Sequence, residues 1–147
     1  LQSQIDDIDK ELKALVDELN SPIMSIPGIS YVSAAFILAE IGDINNFDSP
    51  AKLQAFAGLD PSTYQSGKYS ATHSQMVKRG SKYLRWALLN ATRLVCMRDK
   101  TFNDYKNSKL AEGKHYFVAL SHTSKKLIRV IYYLLKTNNS YQLSKVA

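Results

Sequence analysis

A serine in the middle of the chain, Ser66, stands beside a glycine and a lysine in a segment rich in Ser, Thr, Gly and Tyr. Gly67 has no side chain, so a backbone or a phosphate can approach it closely, and Lys68 supplies a positive charge. A serine hydroxyl is a weak nucleophile that needs a base, a metal or strong charge stabilisation to attack phosphorus. Cationic groups around a phosphate could supply that stabilisation. These residues alone leave two interpretations open: a Ser-Gly turn, or a nucleophile in a cationic pocket.

Positive charge is concentrated in the part of the chain that carries this serine. Residues 1–49 hold two basic and nine acidic residues, a net charge of −7, whereas residues 50–147 hold seventeen basic and four acidic residues, a net charge of +13. Lys78 and Arg79 follow the serine, and Arg85 lies on the next predicted helix. Such a positive surface attracts polyanions, of which nucleic acid is the usual one. The alternative is a surface that only keeps the protein soluble.

The sequence lacks the motifs that are typical of metal sites, serine hydrolases and nucleotide-binding proteins. The histidines His73, His115 and His122 have no cysteine or carboxylate partners at ligand spacing, so no metal site is predicted in this chain. No Gly-x-Ser-x-Gly elbow, phosphate-binding loop or dinucleotide fingerprint occurs. The single cysteine, Cys96, excludes a disulfide framework, and its apolar neighbours favour a buried structural thiol. With no apolar run long enough to span a membrane and no signal peptide, we expect a cytoplasmic protein without a membrane partner.

Hydrophobic spacing predicts an all-α, compact helical domain that must position these residues. Helices are predicted over residues 3–19, 31–41, 50–57, 81–98, about 101–112 and 115–137. Residues 58–75 show no helical period and are predicted to form a long Ser/Gly/Tyr-rich loop, a feature that is often functional. On the last helix, Lys125, Lys126 and Arg129 are predicted to gather on the face opposite the apolar stripe. The polar tail, residues 139–147, is expected to be flexible.

The segment from about residue 22 to residue 42 is predicted to be a helix-hairpin-helix element. Pro27 and Gly28 make a tight turn, and Ser30 can cap the helix that follows. In such an element the glycine-containing turn offers backbone N–H groups to a phosphate at a helix N-terminus. A plain αα-hairpin is the alternative interpretation.

The first twenty residues carry an apolar seam with heptad spacing. Its members are Ile5, Ile8, Leu12, Leu15 and Leu19. The seam could belong to a coiled coil or could pack on the domain's own core. Because the chain starts at Leu1, inside what reads as an ongoing helix, residues 1–21 are interpreted as the C-terminal end of a coiled-coil linker helix in a longer protein. Residues 22–138 then form the main domain.

The order of several short motifs over residues 24–96 resembles one known family. In order, the motifs are Pro-Gly-Ile, Glu-Ile-Gly-Asp, Phe, Ala-Gly-Leu-x-Pro, Ser-Gly-Lys, Lys-Arg-Gly and Leu-Arg. Together they are similar to the C-terminal domain of DEDD-type insertion-sequence transposases, the bacterial recombinases related to the Piv invertase that form the IS116/IS110/IS902 transposase family. Residues 116–136 also resemble the last helix of that family.

The resemblance implies that Ser66 is the nucleophile, because it matches the serine that attacks DNA in the family and forms a transient phosphoserine link. Lys68, Lys78, Arg79 and Arg85 match basic positions of the motif. Other serines nearby remain rivals for the role of Ser66. These rivals are Ser62, Ser70, Ser74 and Ser81.

The same resemblance implies partners and a further domain. In the family, an N-terminal RuvC-like domain holds Mg²⁺ on four acidic residues, a coiled coil follows, and active sites form between protomers of a dimer or larger multimer. Several members are guided by a structured RNA. We therefore expect the parent protein to be a DNA recombinase and a homo-oligomer that uses Mg²⁺ in its other domain. This chain alone is expected to hold no cofactor, and to bind DNA without recombining it.

The predicted nucleic-acid contacts lie on the hairpin turn, the basic strip and the last helix. They are Gly28, Ser30, Lys68, Lys78, Arg79, Lys82, Arg85, Lys125, Lys126 and Arg129. Three functions stay open at this point: the DNA-binding and catalytic domain of a transposase, a non-catalytic helix-hairpin-helix binding module, and a helical dimerisation scaffold.

Overall fold

The described part of the chain folds as six α-helices. The computed structural model describes residues 1–59 and 80–142, and all regular secondary structure within those residues is helical. The helices are α1 (Gln2–Leu19), α2 (Tyr31–Ile41), α3 (Pro50–Phe56), α4 (Lys82–Arg98), α5 (Lys100–Ala111) and α6 (Tyr116–Thr137). The prediction of an all-α fold is confirmed over these residues, and each predicted helix occurs. The predicted loop lies outside the described residues except for positions 58 and 59.

Short polar side chains start four of these helices. Ser30, Ser49, Ser81 and Asp99 each accept a hydrogen bond from the backbone N–H three residues later, at 3.1, 3.2, 3.0 and 3.0 Å. Each cap satisfies an N–H group that has no partner within its own helix, and it stabilises the fold by about 1 kcal/mol. The caps explain why the helix starts could be read from the sequence.

The last helix, α6, forms the centre of the domain. Its apolar stripe packs against α3, α4 and α5, and α4 packs in turn against α2. Leu120, Leu127 and Ile131 of this stripe are fully buried. The hydroxyls of Thr92 on α4 and Ser124 on α6 are hydrogen-bonded at 2.8 Å in the interior, so neither is left without a partner.

Within residues 1–59 and 80–142, no helix has the length and hydropathy needed to cross a bilayer.

The turn at Gly28 packs against the backbone of α4. Gly28 has a φ of +99°, and a Cβ at this position would lie 2.6 Å from the carbonyl oxygen of Leu94 and 2.7 Å from the Cα of Val95. A residue without a side chain is therefore required for packing as well as for conformation. Before this turn the backbone forms one 3-10 turn, Pro22–Ser25. The helix-hairpin-helix element accordingly stays a prediction.

Gly28→Ala is expected to destabilise the domain by about 3 kcal/mol or more, because the new methyl group overlaps a helix backbone and the residue must also hold a positive φ. Gly113→Ala is the matched control: Gly113 has a φ of +88°, but an added Cβ meets nothing within 4 Å. The control should lose only the conformational part, about 1–2 kcal/mol. Urea unfolding followed by circular dichroism measures both losses. Equal losses would contradict the importance of the α4 contact.

The apolar seam of α1 lies mostly at the surface. Leu15 and Leu19 are 58% and 63% exposed, and Val16 is the one buried residue of α1. Leu15 and Leu19 line an open groove of about 510 Å³ together with Leu38 of α2 and Leu135 of α6. Most of the seam therefore stays outside the domain's own core. The coiled coil remains a prediction.

The chain after α6 returns to the domain. The backbone N–H of Tyr141 donates to Oγ of Ser25, and its hydroxyl donates to the carboxylate of Asp99, both at 2.8 Å. Burial raises the pKa of the Tyr141 hydroxyl, and the contact with Asp99 raises it further. The sequence analysis treated every residue after Asn138 as a tail and did not anticipate this contact. Residues 143–147 lie outside the described ranges, so the predicted domain boundaries stay predictions.

Candidate nucleic-acid interface

Three helices enclose a cleft that is lined by cations. The predicted contacts Lys125, Lys126 and Arg129 line it from α6, while α3 contributes Gln54 and α5 contributes Tyr105. The volume of the cleft is about 410 Å³. The three cations come together because the apolar stripe of α6 faces the core, so its polar positions must lie on the other side of the helix.

Arg129 is held by a residue of another helix. Its Nε donates a hydrogen bond to Oε1 of Gln54 at 3.1 Å, and Gln54 is only 7% exposed. A buried amide of this kind restricts the rotamers of the guanidinium group. An arginine with a fixed fork can bind a phosphate with less loss of side-chain entropy than a freely moving one.

The ring of Tyr105 interacts with two lysines. The Nζ atoms of Lys109 and Lys126 lie 5.4 and 5.2 Å from the ring centroid. Attraction between ammonium groups and the aromatic ring keeps both charges near the cleft, in spite of their mutual repulsion. The sequence analysis identified Lys126 but missed Tyr105, because only the packing of α5 on α6 brings the two together.

His122 also lines this cleft and was not selected from the sequence as a contact residue. Partial burial lowers the pKa of its imidazole below the usual 6.5, and the positive charges of Lys125, Lys109 and Lys114 lower it further, while Glu112 acts in the opposite direction. The side chain is therefore largely neutral at neutral pH. Its position one helical turn before Lys125 and Lys126 was the sequence signal for a shared face.

The acidic residues described in the C-terminal half already have partners. Asp99 is a buried helix cap, Asp104 accepts from Lys100 at 2.6 Å, and Glu112 lies 3.4 Å from Lys109. These carboxylates neutralise a minority of the seventeen basic residues after position 49. The cleft consequently lies in a region of positive potential, as a binding site for phosphates requires.

At the start of α4, the hydroxyl of Ser81 has a structural use. It donates to the carboxylate of Glu40 at 2.8 Å while it accepts from the N–H of Leu84. These two bonds account for Ser81 without a catalytic role.

One turn after Ser81, Nη1 of Arg85 is buried and has no hydrogen-bond partner among the described residues. A buried guanidinium nitrogen without an acceptor is uncommon in folded proteins.

Four of the predicted site residues belong to the stretch of sequence between α3 and α4. Ser66, Lys68, Lys78 and Arg79 lie outside the described residues, as do three of the rival serines, so their roles stay predictions.

The remaining predicted contacts do not form one cluster. Ser30 serves as the cap of α2, and Gly28 packs on α4. Lys82 lines a second cleft, with Tyr83 and Trp86.

Metal chemistry finds no support in the described residues. Within residues 1–59 and 80–142, no three His, Cys, Asp or Glu side chains cluster in a way that could hold an ion. The Mg²⁺ that the sequence resemblance assigns to a different domain of the parent protein stays a prediction.

Comparison with known proteins identifies the family. Residues 20–107, more than half of the chain, match the domain described as transposase, IS116/IS110/IS902 family. The chain belongs to this family. The match includes the serine-bearing segment, α4, and Gln54 and Tyr105 of the cation-lined cleft, and it ends before α6, which supplies the cations of that cleft.

Individual members of the IS116/IS110/IS902 family support the assignment. The chain is 34% identical over 105 residues to the transposase for insertion sequence element IS1111A of Coxiella burnetii, covering 70% of this chain and 29% of that protein. It is 34% identical over 114 residues to the transposase for IS1328 of Yersinia enterocolitica, covering 76% and 33%. The pilin gene-inverting protein of Moraxella bovis is 28% identical over 93% of this chain and 45% of its own length. The chain thus spans less than half of each of these relatives.

The environment of His122 predicts a dependence of stability on pH. Because its pKa is lower in the folded protein than the 6.5 of an ordinary histidine, the unfolded chain binds the proton more readily. The contribution of His122 to stability is complete above pH 6.5. It is lost as the pH falls toward the lower pKa that His122 has in the folded protein. From about pH 8 to about pH 5.5, the free energy of unfolding should fall more steeply for the wild type than for His122→Gln. Urea unfolding at each pH measures the difference, and parallel curves would contradict the assignment.

Proposed function

We propose that this chain is the DNA-binding part of an insertion-sequence transposase and that its cation-lined cleft holds the DNA backbone. The observation that carries the proposal is the cleft formed by Lys125, Lys126 and Arg129 around Tyr105. Family membership makes DNA the expected polyanion, since relatives are named as transposases for insertion elements.

The chemistry of the cleft suits a phosphate backbone. Arg129, oriented by Gln54, offers a planar donor fork, and Lys125 and Lys126 add positive charge beside it. Contacts of this type fix a protein on DNA without reading the sequence, and each one releases counterions when it forms. Binding through this cleft should therefore depend steeply on salt.

Removing one cation from the cleft should weaken DNA binding and reduce its salt dependence. For Lys126→Gln, we expect the slope of log affinity against log salt to fall by about 1, measured by fluorescence anisotropy with a labelled duplex. Lys100→Gln is the matched control, because that lysine is paired with Asp104 on an exposed face of α5 and lies outside the cleft. The same change in slope for both variants, or no DNA binding at low salt by the wild type, would contradict the proposal.

The finer proposal is that Ser66 acts as the nucleophile of the parent transposase. Its hydroxyl oxygen would form a bond to a DNA phosphorus while the bond from that phosphorus to one deoxyribose oxygen breaks. The departing oxygen would leave as a hydroxyl after taking up a proton, and the serine would lose its own. The support comes from the ordered motifs in the sequence and from family membership, since residues 20–107 include Ser66.

The described residues on either side of the segment that carries Ser66 are both bonded to α3. The N–H of Ser81 donates to the carbonyl oxygen of Phe56 at 2.7 Å, and an added Cβ on Gly80 would lie 2.5 Å from the same oxygen. The N–H of Leu59 donates to the carbonyl oxygen of Gln54 at 3.1 Å.

Ser66→Ala in the full-length parent should abolish strand exchange, by several orders of magnitude, and leave DNA binding nearly intact. A recombination assay on element-end DNA and a binding assay on the same DNA make the comparison. The matched controls are Ser62→Ala, Ser70→Ala and Ser74→Ala, which should retain activity. Normal recombination by Ser66→Ala would remove the serine from the mechanism and favour a non-catalytic binding module.

We also carry forward the wider implications of the family resemblance as proposals. These are a RuvC-like domain with Mg²⁺, a coiled coil that includes α1, a multimeric active site and a guide RNA in the parent protein. The seam of α1 is compatible with the coiled coil, because four of its five apolar side chains are exposed, namely Ile5, Ile8, Leu15 and Leu19.

A further inference from the structure

The second cleft of the domain is aromatic and open to solvent. Phe36 of α2 and Tyr83 and Trp86 of α4 line it together with Lys82, and its volume is about 490 Å³. Phe36, Tyr83 and Trp86 are 40%, 54% and 53% exposed. Aromatic side chains of this size are normally buried, so three of them exposed around one cleft suggest a binding surface.

Two of the rings pack against each other and leave the indole accessible. Phe36 meets Trp86 edge-on, with centroids 5.4 Å apart and an interplanar angle of 71°. This contact supports the indole from one side while more than half of Trp86 stays accessible. The Nζ of Lys82 lies 5.3 Å from the centroid of Tyr83 and brings a positive charge to the edge of the cleft.

The charge around the cleft favours an anionic partner. α4 carries four basic residues and no carboxylate, namely Lys82, Arg85, Arg93 and Arg98. The nearest acidic residue along α2, Glu40, already accepts the hydroxyl of Ser81. Of the four basic residues, Lys82 lines the cleft, and Arg85 lies one turn further along the helix. An apolar segment of another protein would gain nothing from these two cations. A ligand with flat apolar rings and negative charges matches both features.

We propose that this cleft stacks an unpaired DNA base, with the flanking phosphates on the cations of α4. The proposal rests on the proposed function for the choice of DNA. Bases in a duplex present only their edges in the grooves, whereas a base without a pairing partner can lie flat on an aromatic ring. The cleft would therefore select single-stranded or distorted DNA, such as the ends and junctions that strand exchange produces, in addition to the backbone binding by the cleft on α6.

Trp86 is the only tryptophan of the chain, so its fluorescence reports on this cleft alone. The 147-residue chain would be titrated with an oligothymidylate of about 15 nucleotides, and with an abasic strand of equal length and charge. We expect the thymidine strand to quench Trp86 at the concentrations where anisotropy of a labelled strand shows binding. The abasic strand should bind more weakly and leave the emission nearly unchanged, and so should a duplex.

Variants separate stacking from charge. Trp86→Ala should weaken binding of the thymidine strand about 10-fold and leave abasic binding unchanged, whereas Trp86→Phe should restore most of the affinity. Met97→Ala is the matched control, since Met97 is 77% exposed on the same helix but outside the cleft. Circular dichroism checks that each variant is folded. If Trp86→Ala does not fold, quenching of the wild type decides the question.

The outcomes distinguish this proposal from the proposed function. Binding of both strands with no change in Trp86 emission, or equal quenching by the abasic strand, would overturn base stacking and leave backbone binding intact. Stronger quenching by an oligouridylate than by the thymidine strand would overturn the choice of DNA. No binding of any strand at low salt would overturn both proposals.

Discussion

The buried stripe of α6 is the constraint on which the rest of the domain depends. Leu120, Leu127 and Ile131 are fully buried against three other helices, and each large apolar side chain removed from water contributes about 1.5–3 kcal/mol. Since a helix has one inner side, burial of this stripe sends the lysines and the arginine of α6 outward toward α3 and α5. The position of the cation-lined cleft is thus a consequence of core packing.

The helices could be predicted from the sequence because their signals are local. Ser49 followed by Pro50 marks the start of α3, and Ser30 and Asp99 mark α2 and α5 in the same way. The partners of the cations could not be predicted from local patterns. Gln54 reaches Arg129 across 75 positions of sequence, and that contact depends on how α3 crosses α6.

Gly28 shows how one residue type can fit two explanations. A glycine in a turn before a helix fits a phosphate-binding hairpin, and the sequence offers no signal against it. The structure adds a second reason, because the backbone of α4 at Leu94 leaves no space for a side chain. The exposed rings of Tyr83 and Trp86 are the opposite case. The sequence analysis did not select either residue, and the proposed binding surface rests on their exposure beside Phe36.

The short helix α3 connects the two charged regions of the domain. Through Gln54 it orients Arg129 in the cation-lined cleft, and two residues later the carbonyl oxygen of Phe56 accepts from Ser81 at the start of α4. The cap of α4 and the orientation of Arg129 therefore depend on the same turn of α3. A strand of DNA that contacts both regions would lie along this helix. A shift of α3 would therefore affect the proposed backbone binding and the proposed base stacking together.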